Sequence, residues 1–463
     1  MSHSSMSTPT FTVSIQPERS ALLAGHAQSV HALVRIQAPA APAAHQQRQP
    51  LNLALVIDRS GSMSGTPLRE ARRCVQMILR SLQPTDSVAV VSFDDEVTVD
   101  IPHQVVGTHA EKLCHVVDSI HSGGSTALYD GWHAGVGQAL HGAKGAALSR
   151  VLLLSDGGAN HGLADPEEIA NRVAAMAQAG VSTSTYGLGS GFNEHLMIGM
   201  GRAGRGNHYY GATAEDLEDP FREEFDLLRA LHARGLRLHL QAPEGVKVEV
   251  LNGYTQDPDR GAYCLPDLPY GGEAWALVKL TVPAALVPTI EASPSMLLEA
   301  TVTGVDLETQ PLPPQSGWLS LASLPAAAYG VLVEDELVAS RRSELRAADL
   351  QERAQAAARN RDWRLVDKLL AEALREAENN PWLKGVVESL QRYAAMRQEE
   401  SMAKEAMYGA QRMRNRIAAQ DEQVGVYASH QEADQASYLR RKLEQGKRMG
   451  SQPKPSSGPT PKP

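Results

Sequence analysis

The sequence predicts an α/β protein whose central domain is built on a doubly wound, mostly parallel sheet. From Leu51 onward, short apolar runs of strand length alternate with amphipathic helical stretches. A hydroxyl-rich segment directly follows the first of these runs, at a position where open α/β sheets commonly bind ligands. Strand-rich segments flank this domain, so we also expect an antiparallel β-sandwich around or beside it, followed by a C-terminal α-helical region rich in Ala, Leu, Glu and Arg.

The composition is typical of a folded, water-soluble protein. The chain has 463 residues, enough for two or three domains, and 42% of them are hydrophobic while 21% are charged. Its formal net charge of -9 argues against general nucleic-acid binding, which favours a basic surface. We therefore expect no nucleic-acid partner.

Cysteine usage and the start of the chain predict a cytoplasmic location. Cys74, Cys114 and Cys264 are too few and too widely spread for a disulfide framework or a zinc ribbon, so we interpret them as reduced thiols. The first residues have no basic and apolar secretory signal. No apolar run reaches the roughly 18 residues of a membrane-spanning helix, so we expect no membrane partner.

Changes in composition divide the chain into six segments. The strands near the N-terminus are too few to fold alone, and we expect them to join the later strands, so that the α/β domain is an insertion into a split sandwich. The predicted segments are N-terminal strands at 10–38, a Pro/Ala/Gln linker at 39–50, the α/β domain at 51–233, the sandwich at 234–324, the helical region at 325–446 and a disordered tail at 447–463.

Periodicity also predicts the elements of the α/β domain. The helix that begins near Pro166 has the clearest start signal, because Asp165 is a favourable N-cap and Pro166 suits the first helical position. The predicted strands are 51–57, 88–93, 97–101, 150–155, 181–187 and 207–210, and the predicted helices are 67–82, 109–120, 127–141, 166–179, 193–203 and 213–233.

The most informative segment is the turn after the first strand of this domain. Asp58 ends the strand, and the hydroxyls of Ser60 and Ser62 follow at alternate positions in a glycine-containing turn that leads into a helix. Taken alone, this pattern also fits a serine-rich helix cap. Its chemical meaning therefore depends on what other segments bring to the same place.

Two further segments carry oxygen-bearing side chains to a strand end or a helix start. Thr126 lies in a small-residue loop just before a helix, and Asp156 follows a buried-type strand and precedes two glycines. If the strand order reverses between 51–57 and 150–155, Asp58 and Asp156 project into one crevice. Thr126 then reaches the same crevice from the intervening loop.

The five candidate residues, Asp58, Ser60, Ser62, Thr126 and Asp156, form an all-oxygen set. Two carboxylates and three hydroxyls suit a hard divalent cation, Mg²⁺ first, with Mn²⁺ or Ca²⁺ as alternatives, and disfavour zinc or copper. A cation held by neutral hydroxyls and only two carboxylates keeps an exchangeable position. A carboxylate from another molecule can fill that position with a charge-assisted contact, so the residues predict a docking site.

These residues resemble the metal-ion-dependent adhesion site, or MIDAS, of von Willebrand factor A (VWA) domains. The resemblance covers roughly residues 50–233 and includes all five motif positions. It implies that Ser60, Ser62 and Thr126 are hydroxyl ligands and that Asp58 and Asp156 lie close to the metal, often through water. Ser125 is an alternative loop ligand, but Thr126 directly precedes the Ala-Leu-Tyr-Asp-Gly sequence of the motif.

The flanking regions show a less specific likeness. They are similar to bacterial intracellular VWA proteins and, more distantly, to inter-alpha-trypsin inhibitor heavy chains. Some bacterial relatives are encoded beside Ser/Thr kinases, phosphatases or MoxR-type AAA+ ATPases. The resemblance therefore implies a non-enzymatic scaffold that captures an acidic group of a protein partner, with an adaptor subunit of such a kinase, phosphatase or ATPase system as one form of this role.

Two alternatives concern the same loop. A metal-assisted phosphohydrolase would use Asp58 as its nucleophile, but haloacid-dehalogenase-type enzymes have a second aspartate two residues later, where this chain has Ser60. Arg59 lies between the candidate ligands, and the sequence leaves open whether it contacts a partner or is only a solvated loop residue.

Overall fold

The computed structural model describes residues 10–41, 50–141, 148–156, 158–188, 194–211, 214–257, 261–378, 380–415 and 418–419. These residues form two compact units. The first contains the described residues up to Val338 together with the short strand at 418–419, and the second contains the described residues from Ala339 to Arg414. The fold is α/β with further antiparallel sheets and a C-terminal helical region, which confirms the predicted class.

The chain begins with three strands that precede the α/β domain. They are β1 (Thr12–Pro17), β2 (Ala21–Leu23) and β3 (Gln28–Gln37). The apolar residues of β3, from Val30 to Ile36, are buried, whereas its polar residues are partly or fully exposed. These strands contribute to sheets completed by residues more than 200 positions later in the chain.

The α/β domain follows with six strands and six helices. A short 3-10 turn at Gly61–Met63 lies between its first strand and first helix. The elements are β4 (Leu51–Asp58), α1 (Thr66–Ser81), β5 (Ser87–Phe93), β6 (Val97–Val105), α2 (Ala110–Asp118), α3 (Leu128–His141), β7 (Leu148–Ser155), α4 (Pro166–Gln178), β8 (Val181–Leu188), α5 (Glu194–Ala203), β9 (Arg205–Gly211) and α6 (Ala214–Arg229).

The strands of this domain form one sheet in the order β6-β5-β4-β7-β8-β9. All neighbouring pairs are parallel except β5 and β6. Every residue of β4 and β7 is buried, as expected for central strands covered on both faces. One face packs against α3, α4 and α5, where Trp132 donates a hydrogen bond from its indole nitrogen to the Thr183 hydroxyl at 3.0 Å.

Antiparallel strands resume immediately after α6. They are β10 (Leu231–Gln241), β11 (Lys247–Val250), β12 (Gln256–Asp257), β13 (Ala262–Cys264), β14 (Leu268–Pro269), β15 (Gly272–Val282), β16 (Ala292–Val305) and β17 (Gln315–Leu324), with a 3-10 turn at Ala284–Leu286 and a short α7 at Ala326–Tyr329. One sheet has the order β1-β3-β15-β11 and the other β12-β13-β10-β16-β17-β2. In addition, β14 pairs with β10, and the short strand β18 (Ala418–Ala419) pairs with β15.

The N-terminal strands pair with this later part of the chain. Strand β3 is antiparallel to β15 over ten residue pairs, from Glu273 opposite Gln37 to Val282 opposite Gln28. The two antiparallel sheets meet where β17 crosses β1, and a Cβ atom added to Gly317 would lie 2.9 Å from the Val13 carbonyl oxygen. The first sheet thus closes only when residues on both sides of the α/β domain come together.

The second unit is helical. Its helices are α8 (Glu336–Arg359), α9 (Trp363–Glu376), α10 (Pro381–Ala395) and α11 (Glu399–Asn415). In α9 the buried residues Val366, Leu369, Leu370 and Ala373 recur at helical spacing. The side chain of Asn380 caps α10 by accepting a hydrogen bond from the Leu383 backbone at 3.1 Å.

Some predicted boundaries need correction. The helix expected over 213–233 ends at Arg229, because Leu231 and Ala233 are buried residues of strand β10. Strand β17 was not predicted as a separate element, although its alternating burial is typical of a strand. The short strand expected at 97–101 continues to Val105. Most of the linker (42–49), residues 420–446 and the tail at 447–463 lie outside the described residues.

The described helices include none that is both long and apolar enough to cross a lipid bilayer.

Two glycines of α3 provide a matched test of how this helix packs on the sheet. A Cβ atom at Gly135 would lie 2.3 Å from the Val56 Cγ2 atom, whereas Gly137 has no atom within 4 Å of the same position. We expect Gly135→Ala to lower the free energy of unfolding by about 1–3 kcal/mol through overpacking. Gly137→Ala should raise it by about 0.5–1 kcal/mol, because alanine favours the helix.

The measurement is urea unfolding of the full chain, followed by tryptophan fluorescence because Trp132 lies in α3. Equal stability changes for the two variants would contradict the close contact between α3 and β4.

Candidate functional site

The candidate site lies at the carboxyl edge of the central sheet, where the strand order reverses. Strands β4 and β7 are adjacent and parallel, with Ile57 opposite Leu154, although they begin far apart in the sequence, at Leu51 and Leu148. The chain proceeds from β4 to β5 and β6 on one side and from β7 to β8 and β9 on the other. This is the arrangement that leaves a crevice above the strand ends, as expected from the sequence.

The first loop of the site is organised by a buried carboxylate. Asp58 is fully buried, and its Oδ1 atom accepts a hydrogen bond from the Ser60 backbone at 2.9 Å. The Ser60 and Ser62 hydroxyl oxygens lie 3.1 Å apart. Ser60 is buried whereas Ser62 is exposed, so the hydroxyl pair extends from the interior toward the surface.

The second loop of the site follows strand β7 and begins with Asp156. The Ser155 hydroxyl donates a hydrogen bond to the Asp58 Oδ2 atom at 2.5 Å, and Asp156 follows directly in the chain. Asp156 is partly exposed, and its Oδ1 atom accepts a hydrogen bond from the Gly158 backbone at 3.1 Å. Two carboxylates therefore lie at one strand edge, one buried and one open to solvent.

The environment of Asp58 raises its pKa to about 6. Burial is the largest cause, because it disfavours the charged form. Hydrogen bonds from Ser155 and Ser60 oppose this effect by stabilising the carboxylate, and repulsion by Asp156 adds to it. Asp58 is thus a carboxylate whose negative charge is only partly compensated by the protein.

The third loop is tied to both of the others by backbone hydrogen bonds. The Gly61 amide donates to the Gly124 carbonyl at 2.8 Å. The Thr126 amide donates to the Asn160 side-chain oxygen at 2.8 Å, and the amides of Asn160 and His161 donate to the Thr126 carbonyl, each at 3.1 Å. The structure therefore brings the segments carrying all five predicted residues together at one edge.

Asp94 fixes the geometry between the first and third loops. Its Oδ1 atom accepts from the Arg59 guanidinium at 2.9 Å, and its Oδ2 atom accepts from the Gly124 amide at 3.2 Å. A Cβ atom on Gly123 would lie 1.7 Å from the same carboxylate, so only glycine allows this approach. Arg59, for which the sequence leaves open a partner contact or a solvated loop position, forms an ion pair with Asp94.

Sequence reasoning missed three residues that shape the site, namely Asp94, Ser155 and Asn160. Asp94 follows strand β5, and Ser155 ends strand β7, so their positions at carboxyl strand ends were available as a signal. Asn160 has no comparable signal, because its role depends on where the loop after β7 folds back. All three act by positioning the predicted residues.

The donor set fits a hard cation. Within the described ranges, no three His, Cys, Asp or Glu side chains gather as a metal cluster, so a cation at this edge would depend on the serine and threonine oxygens as well as on carboxylates. The Asp58 oxygens accept hydrogen bonds from the Ser60 amide and the Ser155 hydroxyl, and a carboxylate has about four lone-pair sites, which leaves capacity for a cation. Oxygen donors of this kind are those that Mg²⁺ and Ca²⁺ prefer.

The comparisons with known proteins agree with this fold and define the class of the domain. Residues 52–223 match the von Willebrand factor type A domain, so the chain contains a VWA domain. Domains of this family generally take part in protein–protein interactions and typically bind a divalent cation at the MIDAS. No enzyme family is indicated.

Curated relatives match over less than half of this chain. The uncharacterized protein YfbK of Escherichia coli is 28% identical over 192 residues, which cover 41% of this chain and 33% of that protein. The uncharacterized protein sll0103 of Synechocystis is 27% identical over 212 residues, or 46% of this chain and 50% of the relative. Human inter-alpha-trypsin inhibitor heavy chain H3 is 28% identical over 33% of this chain and 18% of its own length. The matches thus span half or less of these relatives.

Solved structures share the fold over a larger part of the chain. A von Willebrand factor type A protein from Catenulispora acidiphila has a TM-score of 0.68 and 16% identity, covering 88% of this chain and 98% of its own. The ArnB paralog VWA2 from Sulfolobus acidocaldarius has a TM-score of 0.55 and 16% identity, covering 87% and 99%. At this identity the likeness concerns the fold alone.

The raised pKa of Asp58 predicts a pH-dependent stability in the presence of a chelator. Because the pKa rises from 3.8 to about 6 on folding, the contribution of protonated Asp58 to the free energy of unfolding is fully present below about pH 4 and is lost as the pH rises through 6. The free energy of unfolding should fall by an amount on the order of 3 kcal/mol over this range. Asp58→Asn should remove this pH dependence, since the Ser155 hydroxyl can turn and accept a hydrogen bond from the amide.

The measurement is the difference in free energy of unfolding between wild type and Asp58→Asn from pH 4 to pH 7. The variant should become relatively more stable toward neutral pH. A difference independent of pH would contradict the buried position of an uncompensated Asp58.

Proposed function

We propose that this protein is a metal-dependent interaction scaffold that binds an acidic group of a protein partner through a cation at the carboxyl edge of its central sheet. Ser60, Ser62 and Thr126 would supply hydroxyl oxygens, and Asp58 and Asp156 would balance the charge directly or through water. Mg²⁺ is the proposed cation, with Mn²⁺ or Ca²⁺ as alternatives.

The observation that carries this proposal is the hydrogen bonding that joins the three loops. Gly61 is bonded to Gly124, Ser155 to Asp58, and Asn160 to Thr126. Segments separated by up to about a hundred positions in the sequence are thereby held at one strand edge. A cation would further compensate the charge of Asp58, whose pKa is raised to about 6 in its absence.

The exposure of the site supports docking of another molecule. Asp58, Ser60 and Thr126 are buried, while Ser62 is exposed and Asp156 is partly exposed. A cation bound by the buried groups on its protein side would remain accessible from solvent to a carboxylate of another molecule. Such a charge-assisted contact is strong because the cation is poorly screened on its protein side.

The partner and the location complete the proposal. We propose residues 51–233 as the interaction domain, supported by the strand segments 10–38 and 234–324 and followed by the helical segment 325–446. A cytoplasmic location is supported by the three cysteines, which form no disulfide in the described structure. The proposed partner is a protein that supplies a carboxylate to the metal, and an adaptor subunit of a kinase, phosphatase or AAA+ ATPase system is one alternative form of this role.

The rival function, a metal-assisted phosphohydrolase, finds little support in the geometry. A nucleophilic Asp58 would need an accessible oxygen, but the residue is fully buried and both oxygens accept hydrogen bonds. Ser60 occupies the position where a second catalytic aspartate would be needed.

A phosphatase assay tests this rival. If wild type hydrolyses p-nitrophenyl phosphate with Mg²⁺ and Asp58→Ala does not, the result would favour the phosphohydrolase instead.

Removing the proposed ligands should abolish metal-dependent capture. We expect Asp58→Ala, and the double change Ser60→Ala with Ser62→Ala, to weaken Mn²⁺ binding measured by calorimetry by at least about tenfold. The same variants should no longer co-purify from the native cell with proteins that wild type retains in Mg²⁺ and releases in chelator.

Circular dichroism shows whether these variants keep their fold. Equal capture by wild type in Mg²⁺ and in excess chelator would overturn the proposal. Bulk unfolding of the double serine variant would show that the site is structural.

Two adjacent residues distinguish which loop hydroxyl is used. Thr126 is buried, whereas Ser125 is exposed. We expect Thr126→Ala to weaken Mn²⁺ binding by at least about tenfold and Ser125→Ala to leave it within about twofold of wild type. The opposite order in calorimetry would assign the ligand to Ser125.

A further inference from the structure

A second concave site lies at the opposite, amino-terminal edge of the central sheet. It is a cavity of about 490 Å³ between the starts of β7, β8 and β9 and the beginning of strand β10. This volume lies within the 300–1,000 Å³ typical of small-molecule sites. Strand β7 has eight residues, so about 23 Å of strand separates this edge from the candidate metal site.

The charged lining of this cavity is predominantly basic. Four arginines, Arg150, Arg205, Arg234 and Arg237, face two aspartates, Asp257 and Asp267. We call this site the arginine cavity. An excess of guanidinium groups around a concave space attracts anions, because water in such a space screens charge less than bulk solvent does.

Two of the four arginines are neutralised by neighbouring carboxylates. Arg150 forms an ion pair with the fully buried Glu224 and lies 3.6 Å from an Asp267 oxygen. Arg237 forms an ion pair with Asp257 at 2.8 Å. Both aspartates that line the cavity, Asp257 and Asp267, therefore lie beside one of these two arginines.

The other two arginines are bonded only to main-chain carbonyls within the described structure. Arg205 donates to the Ala177 carbonyl at 3.4 Å. Arg234 donates to the carbonyls of Asp306 and Leu307 at 3.4 and 3.1 Å. A guanidinium has five N–H donors, so each of these side chains retains donors for a further acceptor.

The surroundings of Arg205 and Arg234 disfavour their charge. Burial is the largest cause and lowers the pKa of both groups, and repulsion from Arg237 on Arg205 and from Arg150 on Arg234 adds to it. Attraction by Asp267 raises the pKa of both arginines and offsets part of this lowering. An anion in the cavity would relieve both effects. Titratable groups that line a cleft and whose pKa is shifted by burial and by neighbouring charges are candidates for a functional site.

The backbone at Arg205 is an independent sign of a constrained site. Its φ is 53°, in the left-handed region that a residue with a Cβ atom rarely adopts. The glycines on either side, Gly204 and Gly206, pack closely against Thr183. Such strain is found preferentially at functional sites, where surrounding structure holds a side chain in a required position.

We propose that the arginine cavity binds a phosphate-bearing small molecule of nucleotide size. Phosphate offers several oxygens to planar guanidinium donors, so one ligand can satisfy Arg205 and Arg234 together. The apolar side chains of Leu148, Leu228 and Val305 line the same cavity and would contact the organic part. This site is separate from the proposed metal site.

The test is calorimetric titration of the full chain in chelator with pyrophosphate, adenosine diphosphate, adenosine and citrate. The chelator removes any cation from the candidate metal site, so phosphate cannot bind through a metal there. We expect saturable binding of pyrophosphate, tighter binding of adenosine diphosphate, and weaker binding of adenosine and citrate.

Substitutions locate the binding. Arg205→Gln and Arg234→Gln should each weaken adenosine diphosphate binding at least about tenfold, and Arg205→Lys should lose less because it keeps the charge. Arg80→Gln is the matched control. Arg80 is an exposed residue of α1 that forms an ion pair with Glu111 of α2, and it does not line the cavity. It should bind as wild type does.

Several results would overturn the proposal. Absence of binding of both phosphate compounds to wild type at millimolar concentration would leave the cavity without this function. Unchanged affinity in folded Arg234→Gln would place the ligand elsewhere, even where Arg205→Gln fails to fold. Tighter binding of citrate than of either phosphate compound would show that the site takes carboxylates.

Discussion

The buried carboxylate of Asp58 is the constraint on which the carboxyl edge of the sheet depends. It ends a strand whose every residue is buried, so its charge is costly unless nearby donors stabilise it. The Ser60 amide and the Ser155 hydroxyl provide two such donors, one from each of the central strands' loops. Burial still outweighs them and raises the pKa, which explains why a cation beside this carboxylate would be favourable.

The order of the strands determines which loops reach that carboxylate. Because the chain turns in opposite directions from β4 and β7, the helices that follow these strands diverge and leave a crevice. The loop before α3 fills part of it and reaches it through close glycine contacts. Gly123 and Gly124 allow the Asp94 and Asp95 side chains to approach the backbone within distances that any larger residue would block.

The two edges of the same sheet have opposite chemical character. The carboxyl edge presents carboxylates and hydroxyls, which suit a cation and are the basis of the proposed docking function. The amino edge, where the α/β domain meets the antiparallel strands, presents arginines around a cavity. The proposed anion site therefore belongs to the junction between the two parts of the first unit, and the α/β domain alone would not form it.

The class of fold and the candidate residues could be predicted from the sequence, because both depend on patterns among neighbouring residues. Buried parallel strands are apolar throughout, and the alternate placement of Asp58, Ser60 and Ser62 is visible within five residues. Tertiary structure alone decided the ion pair between Arg59 and Asp94, the support of Thr126 by Asn160, and the pairing of β3 with β15. The arginine cavity also could not be predicted from the sequence. Its arginine side chains belong to strands that become neighbours only when the chain folds, and a pattern among neighbouring residues carries no information about such distant contacts.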